Sequence, residues 1–212
     1  MSKKIKKIGI LGGTFAPCHL GHLKISKEAK RKFKLENKLK IKIKKIGFLG
    51  GTFDPCHRGH LKISKVANKK FNLEKVIWAI TKKNPFKKES NFSLENRLKI
   101  SKKFTKKYKF IQIYHYEKQI RSNKTIDLIS YLKKKFINKE LYLLIGADSL
   151  IKFHRWKKWK DISKKCKILV FNRYPYKSKA LKSLAFKHIG REKLKFINFK
   201  KVNISSSQLK KI

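Results

Sequence analysis

The chain has 212 residues, 59 Lys+Arg against 12 Asp+Glu, a formal net charge of +47 and 41% hydrophobic residues. That length fits one domain with an appendage, and the apolar content excludes a disordered polycation. No apolar run approaches the roughly 18–20 residues of a membrane span, residues 1–5 lack the apolar core of a secretory signal, and three cysteines (Cys18, Cys56, Cys166) are too few for a disulfide framework and point to a reducing cytoplasm.

The first element is a repeat. Ile8-Gly9-Ile10-Leu11-Gly12-Gly13-Thr14-Phe15-Ala16-Pro17-Cys18-His19-Leu20-Gly21-His22-Leu23 returns 38 positions later as Ile46-Gly47-Phe48-Leu49-Gly50-Gly51-Thr52-Phe53-Asp54-Pro55-Cys56-His57-Arg58-Gly59-His60-Leu61. A solenoid needs about three or more such units, so two copies describe a partial tandem duplication. The second copy runs on into a β-branched stretch, whereas the first runs into lysines and then into the second, and it carries Ala16 where the second has Asp54. The expected organisation is an accessory or vestigial arm over 1–43 and a working domain over 44–212. Met1 is the only methionine, so an internal start does not bypass the arm.

Within 44–212, residues 46–49 predict a strand followed by a Gly-rich turn and a helix over 60–71. A second strand is expected over 76–80. Ser93 reads as an N-cap with Glu95 in the first turn of a helix through 104. Residues 110–116 are strand-like, 125–136 helix-like, and 141–145 a buried strand ending in Gly146-Ala147-Asp148. Further strands are expected at 168–171 and 194–199, and Ser205 as the cap of a last short helix over 206–211. This alternation predicts an α/β protein with a mostly parallel, doubly wound sheet covered by helices on both faces, whose ligands sit outside the carboxyl ends of the strands.

The turn Gly50-Gly51-Thr52-Phe53-Asp54-Pro55-Cys56-His57-Arg58-Gly59-His60 joins strand to helix. Glycines there let backbone approach a phosphate, and a helix N-terminus offers unpaired N–H groups and a positive dipole end. His57 and His60, three residues apart, can face one anion together. Cys56, His57 and His60 do not make a zinc site, because the second ligand pair such sites use is missing; no metal ligand is assigned. The +47 charge is compatible with nucleic acid or an anionic membrane. However, the excess is 52 Lys against 7 Arg, a background that a coding sequence biased toward A and T also produces.

The turn resembles the nucleotidylyltransferase superfamily signature G-x-F-D-P-x-H-x-G-H, and Ile204-Ser205-Ser206-Ser207-Gln208-Leu209-Lys210 resembles its distal I-S-S-T-x-I-R. Within the superfamily the chain is most similar to bacterial nicotinate-nucleotide adenylyltransferases, through Thr81-Lys82-Lys83-Asn84-Pro85-Phe86-Lys87, Lys124-Thr125-Ile126-Asp127-Leu128, Gly146-Ala147-Asp148-Ser149-Leu150 and Phe153-His154-Arg155-Trp156-Lys157-Lys158-Trp159. The resemblance covers about residues 44–212 and implies a Rossmann-like fold that joins ATP and nicotinate mononucleotide to give deamido-NAD and pyrophosphate, with Mg²⁺ accompanying ATP.

By resemblance, His57 and His60 contact ATP phosphates with Lys210, and His60 stabilises the transition state. Gly51, Thr52 and Phe53 supply backbone contacts to the nucleotides, Gly146 and Asp148 lie near a ribose, and Ser205 and Ser206 bind phosphate. Asn84 and Lys87 hold the mononucleotide phosphate, Thr125 lies near the pyridine carboxylate, and Trp156 stacks on the ring. Lys210 stands where the family has Arg, keeping charge and losing the bidentate fork. Ser207 replaces Thr, and Arg121-Ser122-Asn123-Lys124 departs from the family's glycine- and tyrosine-containing version. Nicotinamide mononucleotide or phosphopantetheine as acceptor is the nearest alternative, and a non-enzymatic polycation binding nucleic acid is the other. No membrane and no specific nucleic-acid partner is expected; the oligomeric state stays open.

Overall fold

The computed structural model describes residues 20–33, 43–83, 90–172 and 175–198. The chain divides into two compact units, 1–42 and 43–212. In the first, helix α1 (Leu20–Phe33) spans the segment that the repeat duplicates. Its Ile25 is 54% exposed.

The second unit follows the β–α alternation. Strand β1 (Lys45–Gly51) leads to helix α2 (Arg58–Phe71), β2 (Lys75–Ile80) to α3 (Leu94–Thr105), and β3 (Ile111–Tyr114) to α4 (Glu117–Ile120) and α5 (Thr125–Lys135). Then come β4 (Glu140–Gly146), α6 (Ala147–Ile151), a 3₁₀ turn (Phe153–Arg155), α7 (Trp159–Lys165), β5 (Lys167–Phe171), α8 (Lys177–Leu181), α9 (Leu184–Lys193) and β6 (Leu194–Ile197). The six strands form one sheet in the order β3-β2-β1-β4-β5-β6, every neighbouring pair parallel.

Period-two alternation along buried strands sends successive side chains to opposite faces. Ile77 and Ala79 of β2, Leu141, Leu143 and Ile145 of β4, and Ile168 and Val170 of β5 enter one core cluster with Ile126, Ile129 and Leu132 of α5 and Ala147 and Leu150 of α6. Val76, Trp78 and Ile80, then Tyr142 and Leu144, then Leu169 and Phe171 enter the other, against Leu61, Ile63 and Val66 of α2 and Leu94 and Leu98 of α3. Gly47 leaves room over β1 for neighbouring side chains: a Cβ there would lie 2.7 Å from Cδ1 of Leu73, in the connection to β2, and 3.1 Å from Cδ1 of Leu144 on β4. The helix after β1 thus packs on one face and the helix after β4 on the other. A crevice opens at such a reversal, outside the carboxyl ends of the two central strands.

Several expectations are sharpened. The strand expected over 110–116 is β3, only four residues long. His115 has already left it, and its Nδ1 bonds the carbonyl of Ile80 at 2.9 Å. The short helices between 147 and 193 carried no clear period in the sequence. Ser93 caps α3, accepting from Asn96 N–H. Thr125 is the first helical residue of α5, whose N-cap is Lys124. The last helix expected after Ser205 lies outside the described residues. Among those residues no helix is long and apolar enough to cross a membrane.

Candidate active site

The turn after β1 is built around the two histidines. His57 is the N-cap of α2, in extended backbone at φ −146° and ψ 172°. Its Nδ1 accepts the N–H of Gly59 at 3.0 Å, and the Nδ1 of His60 accepts the N–H of His57 at 3.2 Å. The pair forms a reciprocal cap of the kind usually made by Ser or Thr with Glu. An Nδ1 that accepts leaves the proton of a neutral imidazole on Nε2. Both rings therefore carry an Nε2–H donor. The ring centroids lie 3.9 Å apart, so the donors share one locality at the N-terminus of α2.

Support comes from beneath. Phe53 is 2% exposed and sits in the left-handed region at φ 50°, a conformation that costs a non-glycine residue about 1–2 kcal/mol. Its ring packs 4.6 Å from His60 and stacks 4.9 Å from Trp78. Trp78 Nε1–H donates to Ser64 Oγ at 2.8 Å, and Ser64 donates to the carbonyl of His60 at 2.9 Å. A strand residue thus anchors the first turn of the helix that carries His60. Asp54, 4% exposed, accepts the N–H groups of Asn91 at 2.8 Å and Phe92 at 3.0 Å. Cys56 is buried and free, and burial pushes its thiol up. It packs in the core cluster under α2 and α3.

Across the crevice, Gly146 is the N-cap of α6 and Asp148 lies in its first turn. A Cβ on Gly146 would collide with the Asp148 carboxylate, so the missing side chain makes room for that carboxylate. Gly51 ends β1 next in the sheet, and these residues occupy the carboxyl ends of the two central strands.

Thr125 stands elsewhere, at the end of β2. It lines an open cavity of ≈ 30 Å³ with Thr81, Tyr116, Glu117 and Ser122. The buried Thr81 Oγ1 and Tyr116 hydroxyl have no hydrogen-bond partner among the described residues, and burial raises the Tyr116 phenol, with Tyr114 and Tyr131 adding to it. Trp156 does not line that cavity. It packs on Phe153, with centroids 4.9 Å apart, and is half-buried beside the α5–α6 core. Asn84, Lys87, Ser205, Ser206 and Lys210 lie outside the described residues. Among the described residues no three His, Cys, Asp or Glu side chains converge as a metal-binding set.

Sequence reasoning missed Trp78, Ser64 and Arg97. The first two read as ordinary strand and helix residues. Arg97 carried one signal, being one of only 7 arginines in a chain with 52 lysines.

The cytidylyltransferase-like family model matches residues 10–43 and again 48–212, one match for each copy of the turn. A protein of Pelagibacter ubique (strain HTCC1062) named "Probable nicotinate-nucleotide adenylyltransferase" is 58% identical over 214 residues, covering 100% of this chain and 96% of its own. One of the same name from Aquifex aeolicus (strain VF5) is 32% identical over 165 residues, covering 77% of this chain and 76% of its own. Among solved structures, Plasmodium falciparum nicotinic acid mononucleotide adenylyltransferase complexed with NaAD superposes with a TM-score of 0.64 at 21% identity, over 79% of this chain and 83% of that one. That likeness establishes the α/β fold.

Proposed function

The chain belongs to the cytidylyltransferase-like family and, within it, to the nicotinate-nucleotide adenylyltransferases, and from that premise we propose that it joins nicotinate mononucleotide to the adenylyl group of ATP in NAD biosynthesis. An oxygen of the mononucleotide phosphate attacks the α-phosphorus of ATP. A new P–O bond forms there, the bond to the β-bridging oxygen breaks, and pyrophosphate leaves with the electron pair. Two anions must meet, so positioning and charge neutralisation supply the rate enhancement. Mg²⁺ arrives as part of the Mg·ATP substrate, held by phosphate oxygens.

The observation that carries this reading is the histidine cap. With both Nδ1 atoms committed to backbone N–H groups, the Nε2–H groups of His57 and His60 donate to ATP phosphate oxygens, and His60 donates to the charge that grows in the transition state. Gly51, Thr52 and Phe53 bring backbone to the nucleotides. Asp148, in the space left by Gly146, accepts from a ribose hydroxyl. Ser205, Ser206 and Lys210 bind the ATP phosphates, and Asn84 and Lys87 hold the mononucleotide phosphate. Thr125, at the N-terminus of α5, takes the pyridine substituent, where a helix dipole favours a carboxylate over a neutral carboxamide. The resemblance assigns stacking on the ring to Trp156, which would reach it from outside the cavity that Thr125 lines. Residues 1–43 are an accessory arm. The buried free thiols of Cys56 and Cys166 suit a reducing cytoplasm.

The test measures pyrophosphate release from Mg·ATP with nicotinate or nicotinamide mononucleotide. The expected result is release with nicotinate mononucleotide, and a fall in kcat of about 10²–10³-fold for His60→Ala. If neither acceptor yields pyrophosphate, or His60→Ala matches the unsubstituted protein, the reading fails.

A further inference from the structure

The most completely bonded buried charge among the described residues belongs to no motif above. Arg97 rises from the first turn of α3 and is 2% exposed. Its Nε donates to the carbonyl of Phe92 at 3.0 Å. One terminal nitrogen donates to Thr52 at 2.6 Å and to Thr81 at 2.8 Å, the other to Lys82 at 3.0 Å. These carbonyls come from three stretches of chain: the turn after β1, the segment leaving β2, and the approach to α3. Asp54 accepts two N–H groups from the third stretch. Glu117 accepts the N–H of Lys82 at 3.2 Å. The Lys82 peptide is thereby gripped at its amide and its carbonyl. Burial draws the guanidinium down, while the Asp54 and Glu117 carboxylates favour its charge.

Only a planar fork can serve four carbonyls in fixed directions. A lysine ammonium has three donors on one atom and cannot span them. We propose that Arg97 is a positioning residue for adenylyl transfer, fixing the ATP turn at Thr52 against the segment that leaves β2 at Thr81 and Lys82, where Thr81 lines the cavity beside Thr125, and so setting how the two substrates lie relative to one another. This rests on the proposed function. Reacting atoms must approach to about 3–3.5 Å, and a displacement of about 1 Å costs on the order of 10²-fold. A residue that holds the two substrate-binding stretches in register affects turnover more than it affects either binary complex.

The experiment compares Arg97→Lys and Arg97→Ala with the unsubstituted protein in the full chain, at a temperature well below each melting midpoint. Calorimetry with a non-hydrolysable ATP analogue gives affinity and the binding-competent fraction, and kcat is scaled to that fraction. The expected result for Arg97→Lys is a kcat about 10–100-fold lower with analogue affinity within about threefold. In Arg97→Ala, millimolar methylguanidinium should recover part of kcat. The proposal is overturned by an Arg97→Lys protein that turns over normally, by a loss accounted for wholly by a smaller competent fraction, or by unfolding of both variants, which makes Arg97 a folding residue alone. An inactive unsubstituted protein counts against the proposed function, whereas an active one with indifferent Arg97 variants counts only against this inference.

Discussion

Asp54 offers a quantitative test of how the phosphate turn is held. Its carboxylate is 4% exposed and accepts two backbone N–H groups at 2.8 and 3.0 Å, close enough to Arg97 to favour that residue's charge. Hydrogen bonds to a charged group contribute about 1.5–3 kcal/mol each, and removing one member of a buried charge pair costs about 3–5 kcal/mol. These overlap, so Asp54→Ala should destabilise the fold by about 3–5 kcal/mol, a large share of the ~5–15 kcal/mol that holds a domain together. Asp54→Asn keeps one acceptor and should lose about 1–3 kcal/mol. Urea unfolding followed by tryptophan fluorescence measures both. At about 2–4 °C per kcal/mol for a chain of this size, the alanine variant should melt about 6–20 °C lower. A loss below about 1 kcal/mol for Asp54→Ala would refute the reasoning, because the two N–H groups would then have found other partners. The first copy of the turn carries Ala16 at this position and cannot supply this carboxylate.

Three further outcomes follow from the structure. Gly146→Ala puts a methyl group where the Asp148 carboxylate lies, so the KM for ATP should rise about 3–10-fold, roughly 0.7–1.4 kcal/mol; an unchanged KM removes Asp148 from ribose binding. Burial pushes the Cys166 thiol from 9.0 up to about 12. The unfolded chain therefore ionises first as pH rises, and the contribution, full below about pH 9, drains away toward pH 12. Between pH 8 and 10 the stability advantage over Cys166→Ala should shrink by about 1.4 kcal/mol, and a constant difference in urea midpoints contradicts this. Deleting residues 1–38 should leave pyrophosphate release intact or raised, whereas lost activity or a lost melting transition means the arm is structural.

Much of this was legible in the sequence because it follows from period and spacing. The β-branched run 76–80 could only be a buried strand, and Gly-Gly followed by paired histidines marked the strand-to-helix turn. Ser93 and Glu95 located the start of α3 to the residue. What stayed hidden depends on contacts between distant segments. That Trp78 reaches Ser64, and Ser64 the His60 carbonyl, cannot be read from a hydrophobic run and an ordinary helix position. The fork of Arg97 joins three stretches that no local rule connects. Thr125 is the first helical residue of α5, and Ser122 donates to Asp127 of the same helix at 2.6 Å, a bond that no periodicity announces. The helices after β4 escape a reading by period because they run only five to ten residues and are interrupted by lysine.

The strand order also governs how such a chain assembles. β1, β2 and β3 are joined by successive crossovers, and β4, β5 and β6 likewise, so each trio can form from segments near one another in the chain. The pairing of Lys45 with Glu140 and of Phe48 with Leu143 is the seam between them, and it closes the longest loop in the sheet. Closing so long a loop costs entropy before the pairing repays it, which slows the building of a parallel sheet. His57 and His60 ride on the first trio, Gly146 and Asp148 on the second. The crevice between them needs the seam, whereas the cavity beside Thr125 is lined wholly by residues that precede β4, so the two parts of the candidate site differ in how much of the sheet each requires.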